Sequence, residues 1–181
     1  MLNFSTDALA FKAFMQQHQQ QVFNAVLNMM QQVQDAEDIT QEVFVDAFQK
    51  HKSFRGESSV STWLYRIAMN KCIDLLRQKE RQRKWKQLGS FFGAVNKTTD
   101  GPADFAHPGT ITENREKAVM FYQALQKLPV KQRTAYVLSE TEHLSYKEIS
   151  EVMKITIPAV ESILFRARKN LRKILADFYT D

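Results

Sequence analysis

The chain has 181 residues, a formal net charge of +5, 44% hydrophobic residues and one cysteine. That length and apolar content support one or two small packed domains and exclude wholesale disorder. A lone thiol excludes an internal disulfide framework. With no signal-like start and no apolar run near the ~20 residues that span a bilayer, the expected setting is cytoplasmic, without membrane insertion.

Five glycines, four prolines and long apolar periodicities give an all-α reading. Residues 6–33 read as one or two helices with Phe11, Phe14, Val22, Val26 and Met30 inward. Asp35 is the expected N-cap of a helix through about His51, with Ile39, Val43, Phe44, Ala47 and Phe48 on a broad apolar side. The sequence Phe54-Arg-Gly-Glu-Ser-Ser breaks the pattern and reads as a loop. Ser61 or Thr62 then starts a long helix through about Lys86, apolar early and basic late. Residues 88–113 hold Gly89, Gly93, Gly101, Pro102, Pro108 and Gly109 without periodicity, which predicts a flexible linker. Helices resume near Thr112 and stop at Leu128-Pro129, and another spans about Lys131 to Glu140. The expected architecture is two small helical domains, residues 1–87 and 114–181.

The last segment is the most explicit. Ser145 and Glu148 form a capping-box pattern, and Ile149, Val152 and Met153 follow as an apolar stripe. Lys154 and Ile155 make a turn, Thr156 is placed to cap, and Pro158 falls in a first turn, where its missing N–H does no harm. Val160, Leu164, Ala167 and Leu171 share an inward face. Ser162, Phe165, Arg166, Lys169 and Lys173 share the other. This is the layout of a helix-turn-helix, with side chains suited to base edges, thymine methyls and phosphates. The same pattern also fits a solvated basic face on an ordinary helical hairpin.

Charge is unevenly spread. Residues 1–50 hold 2 basic and 6 acidic side chains, and residues 51–90 hold 10 and 3. Residues 114–181 hold 12 and 8. An acidic patch ahead of two basic modules points to two kinds of partner, a basic protein surface and nucleic acid.

Four stretches follow one another in the first module: Asp35-Ala-Glu-Asp-Ile-Thr-Gln-Glu-Val-Phe44, Phe54-Arg-Gly56, Thr62-Trp-Leu-Tyr-Arg-Ile-Ala-Met-Asn70 and Asp74-Leu-Leu-Arg77. Together they resemble the second conserved region of bacterial RNA polymerase sigma factors. Leu125-Gln-Lys-Leu-Pro-Val-Lys-Gln-Arg133 and the helix-turn-helix resemble the fourth. With only a short linker between them, the chain resembles the extracytoplasmic-function group, the minimal two-domain sigma factors.

The resemblance implies that residues 1–87 bind core polymerase and recognise and melt the −10 element, while residues 114–181 read the −35 element. Its implied partners are core RNA polymerase (the β′ clamp and β subunits), promoter DNA and an anti-sigma factor. Asp35, Glu37, Asp38, Gln41, Glu42 and Phe44 would meet the basic clamp helices, although an acidic helix start also serves simple capping and solubility. Phe54, Arg55, Gly56, Glu57, Ser58, Arg66, Asn70, Lys71 and Arg77 would face the −10 element, where opened bases need polar pockets and basic residues track phosphate. Trp63 and Tyr65 sit at core spacing with Leu64, Ile67 and Ala68. The run Arg77 to Lys86 fits a solvated helix end as well as a DNA-backbone contact. Ser162, Phe165, Arg166, Lys169 and Lys173 would read the −35 element. The chain departs from the family pattern at Lys154, where a Gly is common, and at Glu161 and Ile163, where basic residues are.

Nothing suggests an enzyme, a cofactor or a metal. His18, His51, His107 and His143 show no ligand spacing, and no glycine-rich phosphate loop is present. The rival reading is a helix-turn-helix regulator that does not bind core polymerase, which would not need the Asp35–Phe44 and Phe54–Arg77 stretches.

Overall fold

A computed structural model describes residues 8–90 and 115–178. The expected linker lies outside the described residues from position 91 onward, so its flexibility stays an expectation. The described residues are helical apart from short turns, with no strand among them. Among them, no helix is long and apolar enough to cross a membrane.

The first bundle holds α1 (Ala8–Met30), α2 (Val33–Lys50), a 3₁₀ turn (His51–Ser53) and α3 (Val60–Ser90). Residues 6–33 therefore form one long helix. It ends where Gln31 adopts φ 56° and its N–H donates to Leu27 O at 2.7 Å, satisfying a last-turn carbonyl. Gln32, not Asp35, holds the cap position of α2, and its side chain makes no capping bond. Asp35 lies within the first turn instead, where its charge still suits the helix dipole. Helix α3 begins earlier than Ser61 or Thr62. Ser59 Oγ accepts the Thr62 N–H at 3.0 Å and lies 2.8 Å from Thr62 Oγ1, which caps the helix from position 59.

Helices α1, α2 and α3 pack on one another around Val22, Val26, Met29, Val43, Phe44, Leu64, Ala68, Met69 and Cys72. Full burial of such a side chain contributes about 1.5–3 kcal/mol before entropy is counted. The Cys72 thiol lies wholly inside, and burial pushes its pKa up to about 12, so it behaves as a small apolar side chain.

The second bundle holds α4 (Arg115–Gln126), α5 (Val130–Tyr136), a π-turn (Val137–Thr141), α6 (Tyr146–Met153) and α7 (Ile157–Phe178). The helix expected to run on to Glu140 changes register at Val137, whose carbonyl accepts the Glu142 N–H five residues on, at 3.1 Å. His143 then takes φ 55° and turns the chain into α6. The capping box is complete: Ser145 Oγ accepts the Glu148 N–H at 3.3 Å, and the Ser145 N–H donates to Glu148 Oε2 at 2.9 Å. Lys154 sits at φ 53°, ψ 48°, so this turn bears a Cβ in the left-handed region that favours glycine. Val160, Leu164, Ala167 and Leu171 of α7 close the core against Leu125, Leu138, Ile149 and Val152.

The two bundles touch. The early part of α3 packs against α6, and α1 meets the π-turn. Tyr65 Oη donates to Glu142 Oε2 at 2.6 Å, and Thr62 Oγ1 reaches Glu148 Oε1 at 3.5 Å. Arg133 is buried without a carboxylate. Its Nη1 donates to Met29 O at 3.1 Å and its Nη2 to Gln126 O at 2.6 Å, so one guanidinium satisfies carbonyls in the last turns of α1 and α4.

Candidate polymerase and nucleic-acid interface

Helix α2 divides its acidic residues between two jobs. Glu37, Asp38 and Gln41 are exposed on its outer side, continuous with Val45 and Phe48. Asp35 is half-buried and accepts from Lys79 Nζ, which also donates to Gln32 Oε1 at 3.0 Å. Glu42 Oε2 lies 2.9 Å from Lys71 Nζ, and Asp46 Oδ2 lies 3.6 Å from the same nitrogen. Burial pulls the Lys71 ammonium down, but its bond to Glu42 and the charge of Asp46 outweigh that, and its pKa rises. Asp35 and Glu42 therefore bind the chain's own α3, Asp35 through Lys79 and Glu42 through Lys71, which was expected at DNA.

Phe44, expected beside these carboxylates as a contact, points into the core at 2% exposure against Phe14. Phe48, expected inward, is 44% exposed and packs edge-on to Phe11. Both sit on the apolar side of α2, and the line between core and rim falls between them.

The loop before α3 is half anchor and half surface. Phe54 is buried with its ring 5.2 Å from Trp63, which fixes the loop's base. Arg55, Gly56 and Glu57 are exposed, Ser58 is partly so, and Gly56 turns the chain at φ 75°. On α3, Asn70 is exposed, whereas Arg66 is half-buried with Nε lacking a partner. Arg77 is exposed near Asp74, 3.5 Å away. Trp63 and Tyr65 are core side chains. Tyr65 is 1% exposed, and burial followed by the Glu142 carboxylate raises its pKa. The tail from Arg81 to Lys86 is solvated, with Trp85 the most exposed aromatic among the described residues.

Helix α7 is simpler. Ser162, Phe165, Arg166, Lys169 and Lys173 all lie on its exposed side, and Phe165 is 68% exposed. Arg166 Nε donates to Ser162 O at 3.1 Å, which lays the guanidinium along the helix. The elements packed against α7 are α4, α5 and α6. Arg168 instead turns to Glu140 at 2.7 Å, and that bond raises its pKa. Arg172, exposed one turn from Lys169, belongs to the same face and was not picked out from sequence. Helical spacing alone was enough to find it. Arg133 and the Tyr65–Glu142 pair were also missed, and no local pattern announces contacts 104 and 77 residues apart.

Residues 14–82 match Sigma-70 region 2 and residues 118–171 match Sigma-70 region 4. The chain is 32% identical to the ECF RNA polymerase sigma factor SigW of Bacillus subtilis, over 94% of this chain and 91% of that one. It is 31% identical to the RNA polymerase sigma-H factor of Pseudomonas aeruginosa, over 93% and 88%. The same fold occurs in the sigma factor RpoE in complex with the anti-sigma factor NepR from Bartonella quintana (TM-score 0.67, 23% identity, 92% and 96% covered). It occurs again in CnrH in complex with the cytosolic domain of CnrY (TM-score 0.68, 22% identity, 96% and 92% covered). The chain belongs to the extracytoplasmic-function family of RNA polymerase sigma factors. Its activity is promoter-specific transcription initiation together with core polymerase, not catalysis of its own.

Proposed function

We propose that the first domain, residues 1–87 with α3 running on to Ser90, docks on the basic clamp of the polymerase β′ subunit through Glu37, Asp38 and Gln41, with Glu42 beside them. Asp35 and Phe44 hold that face in place from within. The same bundle engages the −10 element through the Phe54–Ser58 loop, Arg66, Asn70 and Arg77, and Lys71 joins once its carboxylates are released. The second bundle, within residues 114–181, reads the −35 element through Ser162, Phe165, Arg166, Lys169 and Lys173. The observation that carries this reading is the α7 face, an exposed row of cations around an exposed aromatic with no helix packed over it among the described residues. A cytoplasmic setting follows from polymerase as partner. An anti-sigma factor is the expected restraint, since the sigma factor RpoE, which shares this fold, is found in complex with the anti-sigma factor NepR.

Run-off transcription with core enzyme and promoter-bearing fragments tests the proposal. Discrete starts that require this protein are expected. Sequence-specific DNA binding with no affinity for core enzyme would favour the helix-turn-helix regulator instead.

A further inference from the structure

We infer that Glu161 makes α7 select a cytosine in the −35 element, accepting a hydrogen bond from the base's exocyclic amino group, with Ile157 and Phe165 set against thymine methyls on either side. The inference rests on α7 being the DNA-reading helix and adds the base that this helix demands.

Glu161 lies on the exposed side of α7, one turn from Ile157 and one turn from Phe165. Those two are among the few large hydrophobic side chains left open, at 42% and 68% exposure. The residues three and four positions away are Ile157, Pro158, Leu164 and Phe165, so the helix supplies Glu161 with no cation. Glu161 forms no ion pair and no side-chain hydrogen bond among the described residues. An unneutralised carboxylate on the same exposed side as Arg166, Lys169, Arg172 and Lys173 opposes phosphate binding. It gains only where it meets a hydrogen-bond donor.

The major groove offers few such donors. Guanine presents two acceptors, and thymine an acceptor and a methyl group. Adenine offers an amino donor, but its N7 acceptor lies beside it and faces the second carboxylate oxygen. Cytosine presents an amino donor alone, which suits a group that only accepts. The flanking apolar side chains sharpen the choice. Seated in the groove, they displace water from around the carboxylate, so a matched donor is worth more and a facing acceptor costs more. They also fit thymine methyls, so the expected element has a cytosine bracketed by thymines on one strand or the other.

The test uses the full chain with core polymerase on a promoter library randomised across the −35 window. The wild type should enrich one C·G position by about tenfold or more over the other bases. Glu161→Gln should move that preference toward adenine, whose N6 and N7 suit an amide. Glu161→Ala should flatten that position alone. Placing N4-methylcytosine there should weaken the wild type and leave Glu161→Ala unaffected. Glu161→Ala strengthening every library member equally, with the preference unchanged, overturns the inference and makes Glu161 a passive repulsive charge. No enrichment anywhere in the window by the wild type would remove the α7 assignment itself, a different failure with its own signature.

Discussion

Helices α3 and α7, the two proposed to read promoter DNA, present their polar side chains in opposite states. On α3, Lys71 is held by Glu42 and Asp46, Lys79 by Asp35, and Tyr65 by Glu142. On α7, Ser162, Arg166, Lys169, Arg172 and Lys173 face outward, and the elements packed against the helix lie behind it. A surface of the second kind docks as a rigid body and gains its contacts directly. A surface of the first kind must exchange an internal partner for each contact with DNA, so only the difference between the two bonds remains as affinity. Thr62 and Tyr65 are also buried beneath the second bundle, so a base reaches that part of α3 only when the bundles part.

The sharpest way to break this contrast is to compare two arginines. Arg133 is buried and bonds two helix-end carbonyls, whereas Arg166 is exposed and bonds only its own helix. Burial lowers the Arg133 pKa, although a guanidinium stays charged through the physiological range. Arg133→Ala strands both carbonyls and should cost about 3 kcal/mol, or roughly 6–12 °C in melting temperature. Arg166→Ala should stay within about 0.5 kcal/mol of the parent. Similar melting curves for the two variants would mean that the junction carries little of the fold's stability.

On the open side, the prediction concerns sequence preference. Arg166→Ala should cost about 1–3 kcal/mol on one −35 sequence and relax the preference at one position. Lys173→Ala should weaken all sequences alike and flatten the salt dependence by about one unit of slope. Titrations against matched and mismatched duplexes at several salt concentrations separate the two. Identical, sequence-independent losses would make α7 an electrostatic anchor and move discrimination to DNA shape.

These two surfaces also differ in how much of each was legible in the sequence. The second bundle's features are local. Ser145 and Glu148 are three residues apart, Lys154 follows directly on α6, and the inward stripe of α7 repeats at helical spacing, so periodicity and cap chemistry were sufficient. The first bundle's arrangement is set by partners from elsewhere. Nothing near Asp35 says that Lys79 will claim it, and a broad apolar side on α2 cannot tell that Phe44 goes in and Phe48 stays at the rim. The π-turn at Val137 was hidden because each residue there is compatible with an ordinary helix, and the change of register comes from packing.

Asn70 tests the covered side at a polar position that is already open. It is exposed on α3, one turn beyond the half-buried Arg66, and its amide offers both donor and acceptor to a base. Asn70→Ala should slow open-complex formation by about tenfold, the cost of one good base contact, with core affinity unchanged. The melting temperature should move by less than ~1 °C, as for a surface side chain. A clear fall in melting temperature would make Asn70 structural and leave α3 with no exposed base reader at that turn.

The smallest effect is in the pH dependence of the junction, where Glu142 and Glu148 pull in opposite directions. Burial raises the Glu142 pKa, and the hydrogen bonds from Tyr65 and Thr141 and the nearby His143 offset only part of that rise. A carboxyl whose folded-state pKa is raised contributes stability that is fully present below its ordinary value of 4.5 and is lost as pH climbs through the folded value. Glu148 behaves the other way. Its bonds with Ser145 lower its pKa, so its contribution is present above that ordinary value and is lost as pH falls through the folded one. Glu142→Gln keeps an acceptor for Tyr65 Oη and removes the buried charge. Its melting temperature relative to wild type should therefore climb by a degree or two (about 0.5 kcal/mol) between pH 4 and pH 7. Glu148→Gln should show the reverse trend, falling behind wild type over the same interval as the capping carboxylate is missed. Parallel curves for Glu142→Gln would mean that this carboxylate is solvated in both states, and that Tyr65 is held under the second bundle by packing alone.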